Sequence, residues 1–536
     1  MTRAPLSGIT LLLAWLLTAA PGVAQQPSAD SLIEQHCRAM KTVGDVFAAN
    51  PMRIEYVEGN AADGKRVWMH WQGGKFRSEL HWLGFVEVFA YDGKDNWYAS
   101  DLSLPYSLDE GTGVDVTAQL ASNFAHVTPV QVAYLGAATS VPLDLSKSYA
   151  VLRYAPPGMS EVLLLLDRQD YRLSGILQGT DRQLANSTVY REMLFEDWAD
   201  FGPCWYPRVI RTRTLTSEGE EVKQRVLTTQ SVAVTPPLPA VQFTRQSAPA
   251  VPRPSLPTVP LQIPFSFLND TVVVKCTGPH GENLRFEVDT GAAVGLLRRD
   301  IARQLGLEPI GDEEVTGHGS SAWVGYARAE GIKLGGKVEL PPWPAAVLGD
   351  KNGNHSLDDS LADHGVAGLL GNFILSNFVL QIDYRRRQIV LWPPESFDPD
   401  RDLIGAYHRI PCRRDSMPYV EVTIDGRLKG GAFFNTGAQQ FFALSTWALD
   451  HAGLSYEVES VGLGVTVGGN TAFGLIRPKE VRMGDMVIQR PPTHLEMLAP
   501  GEAPNPHRIA SFGNGFFQRY KVTFDLFHET YYIQTM

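Results

Sequence analysis

The chain is expected to be mainly β, with an antiparallel unit in front and two similar β-rich lobes behind. Three observations predict it. Before residue 235, apolar residues alternate in short stretches broken by Gly, Asp and Asn, the pattern of strands joined by turns. Residues 235–264, "TPPLPAVQFTRQSAPAVPRPSLPTVPLQIP", hold nine prolines, which exclude a helix or a central strand and mark a semi-rigid, extended linker. Beyond that linker the chain repeats itself. A length of 536 residues is too great for one hydrophobic core. Hydrophobic content of 44% with 20% charged residues is that of an ordinary globular protein. A net charge of −11 spread over this length argues against a nucleic-acid partner.

The first residues, "MTRAPLSGITLLLAWLLTAAPGVAQQ", read as a signal peptide over 1–24. One early Arg precedes an apolar stretch from Ile9 to Leu17, and small residues end at Ala24. That stretch is shorter than the roughly 20 residues a membrane span needs, and Pro21-Gly22 closes it. No later run is long enough to span. The expectation is therefore an exported, soluble protein, periplasmic or extracellular. Cys37, Cys204, Cys276 and Cys412 allow two disulfides in three pairings. Domain logic favours Cys37 with Cys204 and Cys276 with Cys412; four free buried thiols are the alternative. Their spacing fits no zinc motif. No phosphate loop, HExxH or CxxC is present, so neither a metal nor a cofactor is expected.

Within 31–234, "SLIEQHCRAMKTVGD" (31–45) reads as an opening helix and the rest as strands. "HWQGGKFRSEL" (70–80), "FAYDGKDNWYAS" (89–100) and "FEDWADFGPCWYPRVIRTRT" (195–214) carry turn signals between alternating runs. These stretches resemble the periplasmic lipoprotein-carrier family, which are open half-barrels over a helical lid. The resemblance implies an apolar concave face able to hold an acyl chain, and a lipid or lipoprotein partner. The plainer reading makes Trp68, Trp71, Trp82, Phe85 and Phe89 simply core.

The repeat has three blocks in the same order. "FEVDTGAAVGLLRRDIARQLGL" matches "FFNTGAQQFFALSTWALDHAGL", each reading as strand, tight turn and short helix. "VTGHGSSAWVGYARAEGIKLGG" (315–336) matches "VTVGGNTAFGLIRPKEVRMGD" (465–485), a glycine-rich hairpin pairing Gly319 with Gly469 and Trp323 with Phe473. "GNFILSNFVLQID" (371–383) matches "GNGFFQRYKVTFD" (513–525) without a gap. The lobes are read as 265–397 and 405–536.

Each lobe resembles a retropepsin-like aspartic peptidase subunit: the Val288-Asp289-Thr290-Gly291-Ala292 turn, the hairpin around Gly319, and "GLLGNFILSNF" (368–378). The resemblance implies a two-lobed retropepsin/pepsin-like acid protease fold, preceded by the antiparallel half-barrel with a helical lid. It implies a catalytic pair at Asp289 and Asn435, supported by Thr290, Gly291, Thr436 and Gly437. Flaps would carry Gly319, Trp323, Gly469 and Phe473, and the partner would be a peptide or protein.

One position departs from the family. A second Asp would share a proton with Asp289, one carboxylate taking a proton from water while the other feeds the leaving amine. Asn435 keeps the size and the hydrogen bonds but exchanges no proton. The base remains and the acid is missing. Pairing of two chains through Asp289 would restore a dyad, but two covalently linked lobes favour pairing within the chain. Asp383 and Asp525 stand at strand ends, far from the turns. The expectation is an aspartic-endopeptidase-like exported protein. The alternatives are a non-catalytic peptide- or lipoprotein-binding protein on the same fold (a pseudoenzyme), or an acyl-chain carrier through the N-terminal unit. "GDKNGNHSLDDS" (349–360) has a calcium loop's early spacing but Leu361 where a bidentate Glu belongs, and reads as a surface loop. His318 has no nucleophile motif beside it and reads as an exposed flap residue.

Overall fold

The structure is a computed structural model. It describes residues 28–39, 50–59, 65–73, 75–101, 103–107, 132–138, 148–154, 162–179, 189–216, 221–249, 251, 253–317, 320–349, 356–466, 469–496 and 508–535. The signal-peptide reading, His318, Gly319 and residues 350–355 of the "GDKNGNHSLDDS" stretch lie outside the described residues; residues 356–360 of that stretch are not loop but open the helix Ser356–Asp363. The chain is mainly β and divides into two compact units, one ending at Pro249 and the other holding 250–500 and 504–536.

In the first unit the strands form one antiparallel sheet. Its spatial order is Asn96–Ser100, Phe85–Tyr91, Lys75–Trp82, Arg66–Gln72, Met52–Glu58, Glu221–Val234, Trp205–Thr216, Val189–Asp200, Leu173–Gly179, Val162–Asp167, Tyr149–Tyr154 and Val132–Ala138. The quoted turn signals close hairpins. Gly73 takes a positive φ between the paired Gln72 and Lys75. The Asp92 carboxylate accepts from the amides of Lys94 and Asp95, both at 2.9 Å, while Gly93 takes the left-handed conformation. Helix Ala29–Ala39 lays Leu32 on one face of the sheet among Met52, Ile54, Trp71, Phe76 and Leu164; residues 40–45 of the stretch read as helix lie outside the described residues. The unit is thus an antiparallel sheet with a helix packed on one face. Trp71, Trp82 and Phe85 are buried, and Trp68 and Phe89 half-buried.

The proline-rich stretch is not extended throughout. Residues 235–249 pack against the first sheet, with 3₁₀ turns at Ala240–Phe243 and Arg245–Ser247. Phe243 is fully buried, and its carbonyl accepts from the Trp97 indole at 2.8 Å. A large apolar side chain inside a polar, proline-rich segment gave the segment a reason to dock.

The second unit holds two lobes. In the first, strand Asn283–Val288 runs parallel to Gly368–Leu370, and Leu296–Leu297 runs parallel to Trp343–Leu348 and antiparallel to Gly368–Leu370. In the second, Leu428–Phe434 runs parallel to Ala510–Phe512, and Phe442–Ser445 runs parallel to Thr493–Glu496 and antiparallel to Ala510–Phe512. A sheet shared by both lobes joins them. Its order is His408–Arg413, Thr530–Thr535, Tyr520–Asp525, Val379–Asp383, Gln388–Trp392 and Leu261–Pro264. The crossing between lobes is the pairing of Leu380, Gln381 and Ile382 with Phe524, Thr523 and Val522. One hydrophobic core runs through both lobes. This is the two-lobed acid-protease arrangement.

Cys204, Cys276 and Cys412 are free and buried, so the disulfide expected between Cys276 and Cys412 is not formed, and Cys204 is not bonded to Cys37. Burial pushes the Cys276 thiol up to about 12, as expected for an inert core thiol.

Candidate active site

Alternation along the strands sorts each lobe into a core face and a second face. Val272, Val274, Phe286, Val288 and Leu370 belong to the core. Their neighbours Val273, Glu287 and Leu369 therefore point to the opposite face, as does Asp289 beyond the strand end. In the other lobe Val420, Val422, Ala432, Phe434 and Phe512 are core, leaving Tyr419, Phe433, Ser511 and Asn435 on the second face.

Both turns are built alike. The Asp289 amide donates to the Leu370 carbonyl at 3.0 Å, and the Asn435 amide to Phe512 at 2.8 Å. Asp289 Oδ1 accepts from the Gly291 amide at 2.8 Å, and Asn435 Oδ1 from Gly437 at 2.9 Å. With its oxygen held in that way, Asn435 has its Nδ2 as the donor left over.

The turns meet. A Cβ added at Gly291 would stand 2.2 Å from Asn435 Cγ, and one at Gly437 would stand 2.5 Å from Asp289 Cγ. Each side chain thus lies over the other lobe's glycine, and a Cβ at either place would displace the Asp289 or Asn435 group. Thr290 and Thr436 lock the approach. The Thr290 amide donates to Thr436 Oγ1 at 3.0 Å and the Thr436 amide to Thr290 Oγ1 at 3.1 Å. Each hydroxyl then donates across the interface at 2.6 Å, Thr290 to the Phe434 carbonyl and Thr436 to the Val288 carbonyl.

Two further residues brace the turns, and sequence reasoning had given them no role. Asn372 Nδ2 donates to the Thr290 carbonyl at 2.7 Å, and Asn514 Nδ2 to the Thr436 carbonyl at 2.6 Å. The repeated Gly-Asn of the third block was their signal. Its glycines allow the approach: a Cβ at Gly371 would lie 2.4 Å from the Val294 carbonyl oxygen, and one at Gly513 2.3 Å from that of Gln440.

The flap hairpins are Ile310–Gly317 with Ser320–Ala329, and Ser460–Thr466 with Gly469–Ile476. Ser320–Ala329 and Gly469–Ile476 approach one another across the lobes. Trp323 is half-buried, Gly469 opens its strand, and Phe473 stacks on His494 with ring centroids 4.1 Å apart. Asp383 and Asp525 are engaged at their strand ends. Asp383 accepts from the Arg386 amide at 2.9 Å and pairs with Lys521 at 3.0 Å; Asp525 holds His528 at 2.7 Å.

The second face differs between lobes in charge. Glu287, 8% exposed, pairs across the ladder with Val273; at the matching place Phe433 pairs with Tyr419. Burial pushes the Glu287 carboxyl well above the ordinary carboxylate range, and the neighbouring Asp289 pushes it the same way. No grouping of three or more His, Cys, Asp or Glu able to hold a metal occurs among the described residues.

A sequence family described as aspartyl protease matches residues 274–372. The matched stretch contains Asp289, Thr290 and Gly291 and ends on the bracing Asn372. No curated protein matches the chain. Residues 274–372 are thus a retropepsin-like, peptidase-like domain.

Proposed function

We propose that residues 265–397 and 405–536 form a peptide-binding cleft of the aspartic peptidase type, in which Asp289 is the base and Asn435 its neutral partner. The observation that carries this reading is the mutual overlap of the two turns, Asp289 over Gly437 and Asn435 over Gly291. An extended peptide laid across the turns would present its carbonyl to the Asn435 amide group and its attacking water to Asp289. That arrangement polarises and positions, but Asn435 has no proton to give the leaving amine. Hydrolysis through these two residues alone is therefore slow, and binding is the stronger property. The signal-peptide pattern read over residues 1–24 is the ground for proposing an exported protein, periplasmic or extracellular. For the N-terminal sheet we propose in addition that it takes an acylated or lipoprotein partner, which its helix-covered apolar face would allow. Lipid co-purified with the mature protein would support it, and its absence under mild extraction would count against it.

The experiment is cleavage of a mixed peptide library between pH 3 and 7 by wild type, Asp289→Ala and Asn435→Asp. Asn435→Asp is expected to cut at least 100-fold faster than wild type, with an acid optimum, because it restores a carboxyl pair. Asp289→Ala is expected to be silent. If Asn435→Asp neither cuts nor binds a transition-state-type peptide inhibitor, the cleft reading is wrong.

A further inference from the structure

On the reading of residues 265–536 just given, we propose that Glu287 supplies the proton that Asn435 cannot, so that the acid and base of this site come from one strand of one lobe. Glu287 and Asp289 lie two residues apart on the same face, about 6.6 Å between Cα atoms at the usual strand rise. Glutamate's extra methylene gives its carboxyl the longer reach. The register of Thr271–Thr277 on Asn283–Val288 sets Val273 opposite Glu287. The Glu287 carboxyl is near enough to Asp289 to feel its charge, and the Thr271 side chain is within its reach.

Burial of Glu287, the largest effect, and the charge of Asp289 both favour the neutral acid form, while the Thr271 side chain opposes them. The Thr271 hydroxyl also donates to the Leu268 carbonyl at 2.9 Å. On its other sides Glu287 meets Val273 and Leu369, both apolar, and among the described residues Asp289 is the one charged group acting on it. The second lobe has Phe433 at the matching position and offers no counterpart.

The step balances without any outside reagent. Asp289 takes a proton from water as the water oxygen bonds to the peptide carbonyl carbon. As the carbon–nitrogen bond breaks, the Glu287 acid gives its proton to the leaving nitrogen. Asp289, now neutral, returns its proton to the Glu287 carboxylate, and the starting state is restored.

The test compares wild type, Glu287→Gln, Asn435→Asp and the double variant on the same library, with binding of the transition-state-type inhibitor as the check on folding. Wild type is expected to cut slowly, and Glu287→Gln to lose at least 100-fold of that rate while still binding the inhibitor. In the Asn435→Asp background the same change should cost under 10-fold, because the carboxyl introduced at position 435 would then carry the proton. Infrared difference spectra should show a protonated carboxyl at pH 7 in wild type that Glu287→Gln removes. The inference is overturned if wild type is silent while Asn435→Asp cuts, if Glu287→Gln cuts as fast as wild type, or if no such carboxyl band exists. If Asn435→Asp and the double variant both fail to cut and to bind, it is the cleft reading that has failed.

Discussion

At the residue scale the site rests on hydroxyls that each bridge two backbone groups of the other lobe. The Thr290 hydroxyl accepts from the Thr436 amide and donates to the Phe434 carbonyl. Thr290→Val keeps the shape and leaves both buried groups unmatched, which is expected to cost roughly 3 kcal/mol in urea unfolding. Glu287 makes a prediction of opposite character. Its folded-state carboxyl titrates well above 4.5, so between pH 4.5 and that higher value the folded chain holds a proton that the unfolded chain has released. Stability must fall as pH rises through that window. Glu287→Gln is expected to remove the slope, and an unchanged slope in unfolding midpoints from pH 4 to 8 would contradict a neutral Glu287. Asp289, Asn435 and both threonines were legible in the sequence because a repeated Thr-Gly-Ala carries them. Glu287 was not, since one Glu in a strand looks like a solvated position until the ladder shows which face it takes.

At the scale of elements, helix Ala29–Ala39 shows how much a short helix can depend on one ring. His36 is 1% exposed, and its Nδ1 bonds the Tyr171 carbonyl at 2.8 Å. Burial holds its pKa down from 6.5 to about 4, so the ring is neutral in the fold and its Nδ1–H is the donor. The sign follows directly. The stability is fully present above pH 6.5 and is lost as pH falls toward 4, because the unfolded chain gains a proton that the folded one refuses. The full gap from 6.5 to about 4 corresponds to roughly 3 kcal/mol. His36→Gln is expected to flatten the acid loss of stability of the N-terminal unit, followed by tryptophan fluorescence. The opening helix was legible from its composition. The docking of 235–249 was not legible, because proline content outweighed the single Phe243 that anchors it.

At the scale of the molecule, the two lobes of the second unit share a core, a six-stranded sheet and the crossed threonine bonds. They are expected to unfold together. Thr290→Val and Thr436→Val, in different lobes, should lower one and the same urea midpoint without changing its slope. Two resolved transitions would show that the lobes are separable. The likeness of the lobes was plain in the sequence, but the sheet that joins them was not, since pairing between residues about 140 positions apart leaves no local mark. That likeness is also incomplete where it matters most. Beside Asp289 the open face carries an acid over Val273, and beside Asn435 it carries two aromatic rings, Phe433 and Tyr419. A cleft with matching halves could admit a peptide in either direction. On the peptide-binding reading proposed above, this cleft has an acid on one side and rings on the other, so a bound chain would have a single preferred polarity, its N-to-C sense set by which flank meets the rings.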